Sequence, residues 1–190
     1  MEFVHESEVE NLLRDHRLTR VEEGPDRVHL AMEPIEGMVR LHLACPASCA
    51  VPLEGASVTS FEKERLPKVV EHVIHLLNFE QILLIPIGKW RRVFDAVAFS
   101  LASNEDWQEM DAAATVELNT RDPLLCEPAD FHTVIALIEA LFNDAEHPDQ
   151  GLMLIPTAAP VLIEIVPDGA VRINLGNAVL ADEMADAVAT

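Results

Sequence analysis

Val161-Leu162-Ile163-Glu164-Ile165-Val166-Pro167-Asp168-Gly169-Ala170-Val171-Arg172-Ile173-Asn174-Leu175 is the stretch that decides how this chain folds. Pro167-Asp168-Gly169 is turn chemistry, and on each side of it apolar residues hold every second position, the spacing of a strand with a buried face. Val161, Ile163 and Ile165 point inward on the first strand, and Val171, Ile173 and Leu175 on the second. All six are odd-numbered, so facing residues share parity, and a three-residue loop with a left-handed Gly169 places Glu164 directly opposite Arg172 on the outer face. Such a cross-strand ion pair contributes about 0.2–1 kcal/mol and serves mainly to identify the register.

Downstream, Asn177 is placed to cap a last short helix from Ala178 to about Ala187. Upstream, Leu152–Ile155 reads as a strand, and before it Phe131, Val134, Ile135, Ile138, Leu141 and Phe142 form a helical stripe with Pro128 near its first turn. A similar order occurs earlier in the chain. Leu66, Val69, Val70, Val73, Ile74 and Leu77 mark a helix with Pro67 in its first turn, and Ile82–Ile87, Val93–Leu101 and Ala113–Leu118 read as three strands. Leu76-Leu77-Asn78 matches Leu141-Phe142-Asn143, and Leu84-Ile85-Pro86 matches Leu154-Ile155-Pro156. The extra length of the second copy falls in an acidic, exposed loop at residues 145–150. The pattern predicts one α+β domain over 1–190, an antiparallel sheet with helices packed on one side. It is internally duplicated as a helix-plus-three-strands unit, with approximate halves 20–110 and 111–190.

Ser7-Glu8-Val9-Glu10 reads as a capping box opening a first helix that runs to about Leu18. After Gly24-Pro25-Asp26, the alternations Val28-Leu30-Met32 and Val39-Leu41-Leu43 flank Pro34-Ile35-Glu36-Gly37 and read as a hairpin with His29 opposite His42. Two imidazolium rings facing each other would weaken that hairpin below about pH 6.5. Residues 44–60, with Cys45-Pro46-Ala47-Ser48-Cys49, read as a loop carrying a short strand near Val58.

The chain has 190 residues, 49% of them hydrophobic, enough to build a core, and a formal charge of −20. The charge is uneven: after Arg92 only Arg121 and Arg172 stand against 18 acidic residues, whereas the first 92 residues carry 11 basic and 15 acidic. Phosphate backbones and anionic membranes need clustered Lys and Arg, so neither nucleic acid nor a membrane is the expected partner. A protein or peptide, neutral or basic, is. Three cysteines do not make a disulfide framework, the first 20 residues have no apolar signal core, and no apolar run approaches the roughly 18 residues of a membrane span. A cytoplasmic location follows as the expectation. Open sheet edges and the apolar face of the Phe131–Phe142 helix allow a homodimer.

Catalytic motifs are absent from the sequence. There is no G-x-S-x-G elbow, and Gly88-Lys89 lacks the rest of a P-loop, so no cofactor is expected. Cys126, with Glu127 beside it and His132 on the next helix, reads as a buried structural cysteine. His72 and His75 lie three apart on one helix and are candidate metal ligands, without the third and fourth ligand that a closed site needs. A metal-dependent hydrolase using them and nearby carboxylates is the alternative to a binding role. Lys89-Trp90-Arg91-Arg92 is the basic aromatic spot of this acidic chain. As a turn it is either a protein contact or a solvated bend with Trp90 folded onto the core.

The first helix with Leu12-Leu13, the strands Val28–Met32 and Val39–Leu43, and Leu76-Leu77-Asn78 followed by Ile87-Gly88-Lys89-Trp90 and Val93–Leu101 carry a resemblance over roughly residues 7–143. In that order they resemble the type III secretion chaperone-like fold, including the YbjN family. The resemblance implies no catalytic residues and the binding of protein segments on helices and sheet edges. The duplicated order, with Ala113–Leu118 as a leading strand, also resembles the TATA-binding-protein-like saddle, whose DNA-binding role the acidic charge opposes.

Overall fold

Ile82–Pro86 and Leu152–Pro156 are apolar at every position, and both strands are buried at every residue. A strand apolar on alternate positions can face water on one side, whereas one apolar throughout must be covered on both. The computed structural model, which describes residues 1–114 and 117–189, shows that cover. In chain order its strands and helices are β1 (Glu2–Phe3), α1 (Glu6–Asp15), β2 (Leu18–Glu22), β3 (Val28–Met32), β4 (Val39–Ala44) and β5 (Ser57–Ser60). They continue with α2 (Leu66–Leu76), β6 (Ile82–Pro86), α3 (Trp90–Val97), α4 (Glu105–Ala113), β7 (Leu124–Cys126) and α5 (Phe131–Asp144). The last are β8 (Leu152–Pro156), β9 (Val161–Val166), β10 (Ala170–Leu175) and α6 (Ala178–Ala189).

Eight strands form a mixed sheet in the order β1-β7-β6-β8-β9-β10-β4-β5, antiparallel except for the parallel β4–β5 pair. The fold is α+β, with helices packed against this sheet. Residues of α2 to α6 share one core with Ile82, Leu84, Leu152, Leu154 and the odd-numbered residues of β9 and β10. On the opposite face α1 and the β2–β3 hairpin enclose Leu83, Ile85, Ile87, Met153, Ile155 and Leu162. The helices are therefore not all on one side: α1 lies beneath β6 and β8. Burying each such Leu or Ile contributes about 1.5–3 kcal/mol, so double cover of the two central strands is a large part of the folding free energy.

The β9–β10 hairpin has the expected register, with Glu164 facing Arg172 and Gly169 at φ 103°. The expected hairpin of 28–32 with 39–43 is not formed. β3 pairs instead with β2, His29 facing Val21, and β4 pairs with β10, His42 facing Arg172. The first helix, expected to run to about Leu18, stops at Asp15, and Leu18–Glu22 is a strand. Arg17 at φ 57° ends α1 and turns the chain into β2, and Gly24 at φ 77° lets it return. The capping box sits two residues earlier than Ser7, with His5 as the cap and Glu8 reaching back to it.

Val93–Leu101 is not a strand. Trp90, Val93, Phe94, Val97 and Leu101 are all buried, at the i, i+3, i+4, i+7 spacing of α3 and the turns after it. A segment that satisfies both periods was assigned the wrong one. Ala113 closes α4, residues 117–119 form a 3₁₀ turn, and 115–116 of the expected third strand lie outside the described residues. The two halves share a helix followed by a strand, α2–β6 and α5–β8. Leu84 pairs directly with Leu154, the residue it matches in sequence. Residues 145–150 are less free than an exposed loop. Ala145 is buried, the Asp149 carbonyl accepts from the Gly88 N–H at 3.1 Å, and its carboxylate holds Arg92 Nε at 2.7 Å.

Candidate functional site

Where the β2–β3 hairpin stops covering the outer face, that face turns polar. Register places Glu164, Arg172, His42 and Val58 in one row across β9, β10, β4 and β5, with Leu162, Asn174 and Arg40 in the next. Glu164, His42 and Asn174 are buried, which polar groups on an open sheet face would not be. Their cover is a strap, residues 45–56. It is pinned at one end by the Cys45 N–H on the Gly169 carbonyl (2.8 Å) and by Ser48 Oγ and the Cys49 N–H on the Asp168 carboxylate (both 2.9 Å). Farther along, Arg172 Nη2 donates to the Val51 carbonyl and Arg40 Nη1 to that of Glu54, both at 2.8 Å. A strap with few apolar anchors is thus fixed through its main chain by arginines of the sheet.

The β2–β3 hairpin approaches from the other side. The Val28 N–H donates to the Ile87 carbonyl at 2.9 Å and the Leu30 N–H to Met153 Sδ at 3.2 Å. This brings His29 over the sheet, its Nδ1 3.3 Å from Glu164 Oε1 and its Nε2 3.3 Å from Glu23 Oε2. Arg172 Nη1 reaches both Glu164 oxygens, at 3.0 and 3.1 Å. Burial by itself would raise the Glu164 carboxyl. The hydrogen bond from His29 and the charge of Arg172 outweigh it and hold the group below the usual carboxylate range. His42 is lowered by burial first and then by the Arg172 charge, against the pull of Asp168 and Glu164, and its Nδ1 has no hydrogen-bond partner among the described residues.

Between hairpin and strap run two cavities of about 320 and 360 Å³, and His29, Glu164 and Arg172 line both. The first is bounded by Leu30, Met32 and Leu53, with Arg40 and Asn174 in its floor. The second is bounded by Ala50, Val51, Ile87 and Val166 and closed by the Pro167–Asp168 turn. They form a groove crossed by one charged bridge. Glu164 clamped by an arginine and a histidine is a poor proton acceptor, so the arrangement suits recognition rather than acid–base chemistry.

The residues singled out from sequence lie elsewhere. Trp90 is fully buried, its Nε1 donating to the Asp122 carbonyl at 2.8 Å and its ring edge-on to Phe3 and Phe94. It opens α3 instead of forming a turn. Arg92 is tied to Asp149, Arg91 reaches Asn119 Oδ1 at 3.4 Å, and Lys89 is exposed. His72 and His75 are exposed on α2, and no group of three or more His, Cys, Asp or Glu is arranged to hold a metal among the described residues. Cys126 is buried, its thiol pushed up to about 12 chiefly by that burial, which keeps it protonated. A further cavity of about 470 Å³ lies between α4 and α5, where Asp106 holds His132 Nε2 at 2.8 Å.

The groove itself was half visible. Glu164 and Arg172 followed from the hairpin register, whereas the strap and the hairpin above them had no periodic signal linking them to this face. No helix among the described residues is long and apolar enough to cross a membrane. No family model, no curated protein and no solved structure matches the chain.

Proposed function

We propose that this chain is a non-enzymatic, chaperone-like protein-binding module that takes an extended stretch of a partner into the groove between the β2–β3 hairpin and the strap. The observation that carries this reading is the pair of cavities meeting at His29, Glu164 and Arg172. Their apolar walls and buried polar floor are the usual composition of a ligand site. The resemblance to type III secretion chaperone-like proteins points the same way. A charge of −20 favours a neutral or basic partner over nucleic acid or an anionic membrane. Three free thiols, Cys49 exposed among them, suit the reducing cytoplasm. The outer edge of β5, where Val58 is exposed, is where a second copy could add.

The test is an array of synthetic peptides probed with the wild-type protein and with Ala31→Trp. Ala31 is exposed and lines the first cavity, so an indole there fills the groove without disturbing the core. Micromolar binding of a subset of peptides, lost in Ala31→Trp at unchanged thermal midpoint, is the expected result. A wild-type protein that binds none, or binds equally with the groove filled, removes the reading.

A further inference from the structure

Arg40 and Asn174 face each other across β4 and β10 at the floor of the first cavity. Asn174 is 4% exposed and makes no side-chain hydrogen bond to the described residues, although its amide carries two donors and an acceptor. Arg40 forms no ion pair with a carboxylate among the described residues. One Nη holds the Glu54 carbonyl, and its buried Nε has no partner. A buried guanidinium nitrogen left in this state costs about 1–3 kcal/mol unless something else satisfies it, and the Asn174 amide beside it lines the cavity.

Two of the three carboxylates at this end are already matched. Glu164 is taken by Arg172 and His29, Glu23 by Arg27 and His29, and Glu54 is exposed at the rim. The uncommitted groups are therefore a guanidinium and a primary amide side by side. Both can donate to one planar anion, beneath a wall of Leu30, Met32 and Leu53.

Resting on the groove reading above, we propose that the Arg40–Asn174 end recognises a carboxylate attached to an apolar group, the free carboxyl terminus of the bound segment. The carboxylate accepts from Arg40 and from the Asn174 amide, and the last side chain packs on Leu30, Met32 and Leu53. An internal stretch of chain offers an anion here only through an Asp or Glu side chain. The bridge of His29, Glu164 and Arg172 then lies under the preceding residues.

The probes are N-acetyl-Ala-Ala-Val-Leu as the free acid and as the carboxamide, titrated into ¹⁵N-labelled protein while the Asn174 side-chain amide and Arg40 Nε–H resonances are followed. The free acid is expected to shift both saturably and to bind at least about tenfold tighter than the carboxamide, the factor that one charge-assisted hydrogen bond supplies. In Arg40→Met the ratio of the two affinities collapses toward one, whatever the affinity of the carboxamide itself. Loss of the strap alone would weaken both probes together, and Arg40→Lys, which keeps a charge, should retain part of the preference. Equal binding of acid and carboxamide in the groove overturns the carboxylate inference and leaves the groove reading standing. If neither probe binds while array peptides still bind and are blocked by Ala31→Trp, the inference fails alone. If no peptide binds, both fail.

Discussion

At the scale of single residues, buried titratable groups lead to two predictions about pH, and the bridge arginine to one about stability. Glu164 has its folded-state ionisation held below its ordinary value of 4.5, so its contribution is complete above that pH and is lost as pH falls through the lower folded value. Chemical denaturation from pH 6 down to 3 should show stability falling most steeply below 4.5, and Glu164→Gln should flatten that part of the curve. His16 and His42 are lowered chiefly by burial, so the unfolded chain binds protons that the folded one resists. Stability should therefore also decline as pH drops below 6.5, and His42→Gln should remove part of that slope. The expected His29–His42 pair is not formed, and what faces His42 across the strand pair is the Arg172 cation. Arg172→Met strands Glu164 in a largely buried site and releases the strap from Val51. A cost of about 3–5 kcal/mol is expected, read as a lowered urea midpoint.

At the scale of elements, turns and caps show where local sequence and tertiary contact agree. Gly169 sits at φ 103°, and a Cβ there would run into the Cys45 side chain at the root of the strap. Gly169→Ala should cost at least about 1 kcal/mol from the backbone conformation, and more from the clash, by the same urea measurement. The hairpin around it was readable because its turn residues and its period of two are local. The 90–101 segment was not: Val93, Val97, Phe99 and Leu101 fall on alternate positions while Trp90, Val93, Phe94 and Val97 fall at helical spacing, and the packing of Trp90 between Phe3 and Phe94 goes with the helix. β2 was hidden for a related reason. Leu18 is its one buried residue, so Leu18–Glu22 has almost no apolar alternation and depends on β3 for its hydrogen bonds.

At the scale of the whole molecule, two layers of unequal strength cover one sheet. The face packed by α2 to α6 holds most of the core, whereas the opposite face has a small cluster under α1 and the hairpin, and beyond it a strap held by polar contacts. Hydrogen exchange should show β6, β8 and β9 among the slowest amides and the strap and β2–β3 among the first to open. Uniform protection across both layers would contradict that order, which is also what an adjustable groove needs. By itself the sequence determined the α+β class, a helix from Leu66 and one from Phe131, the strand from Ile82, the three strands between Leu152 and Leu175, and the Glu164–Arg172 pair. Each of these rests on a periodicity or a turn within some fifteen residues. Only the tertiary structure decided that β4 leaves β3 to join β10, that His29 reaches Glu164 from above, and that Arg40 and Asn174 become neighbours. Those pairings join strands more than a hundred residues apart, and the free energy that selects among such partners is the burial of whole faces, which no local pattern encodes.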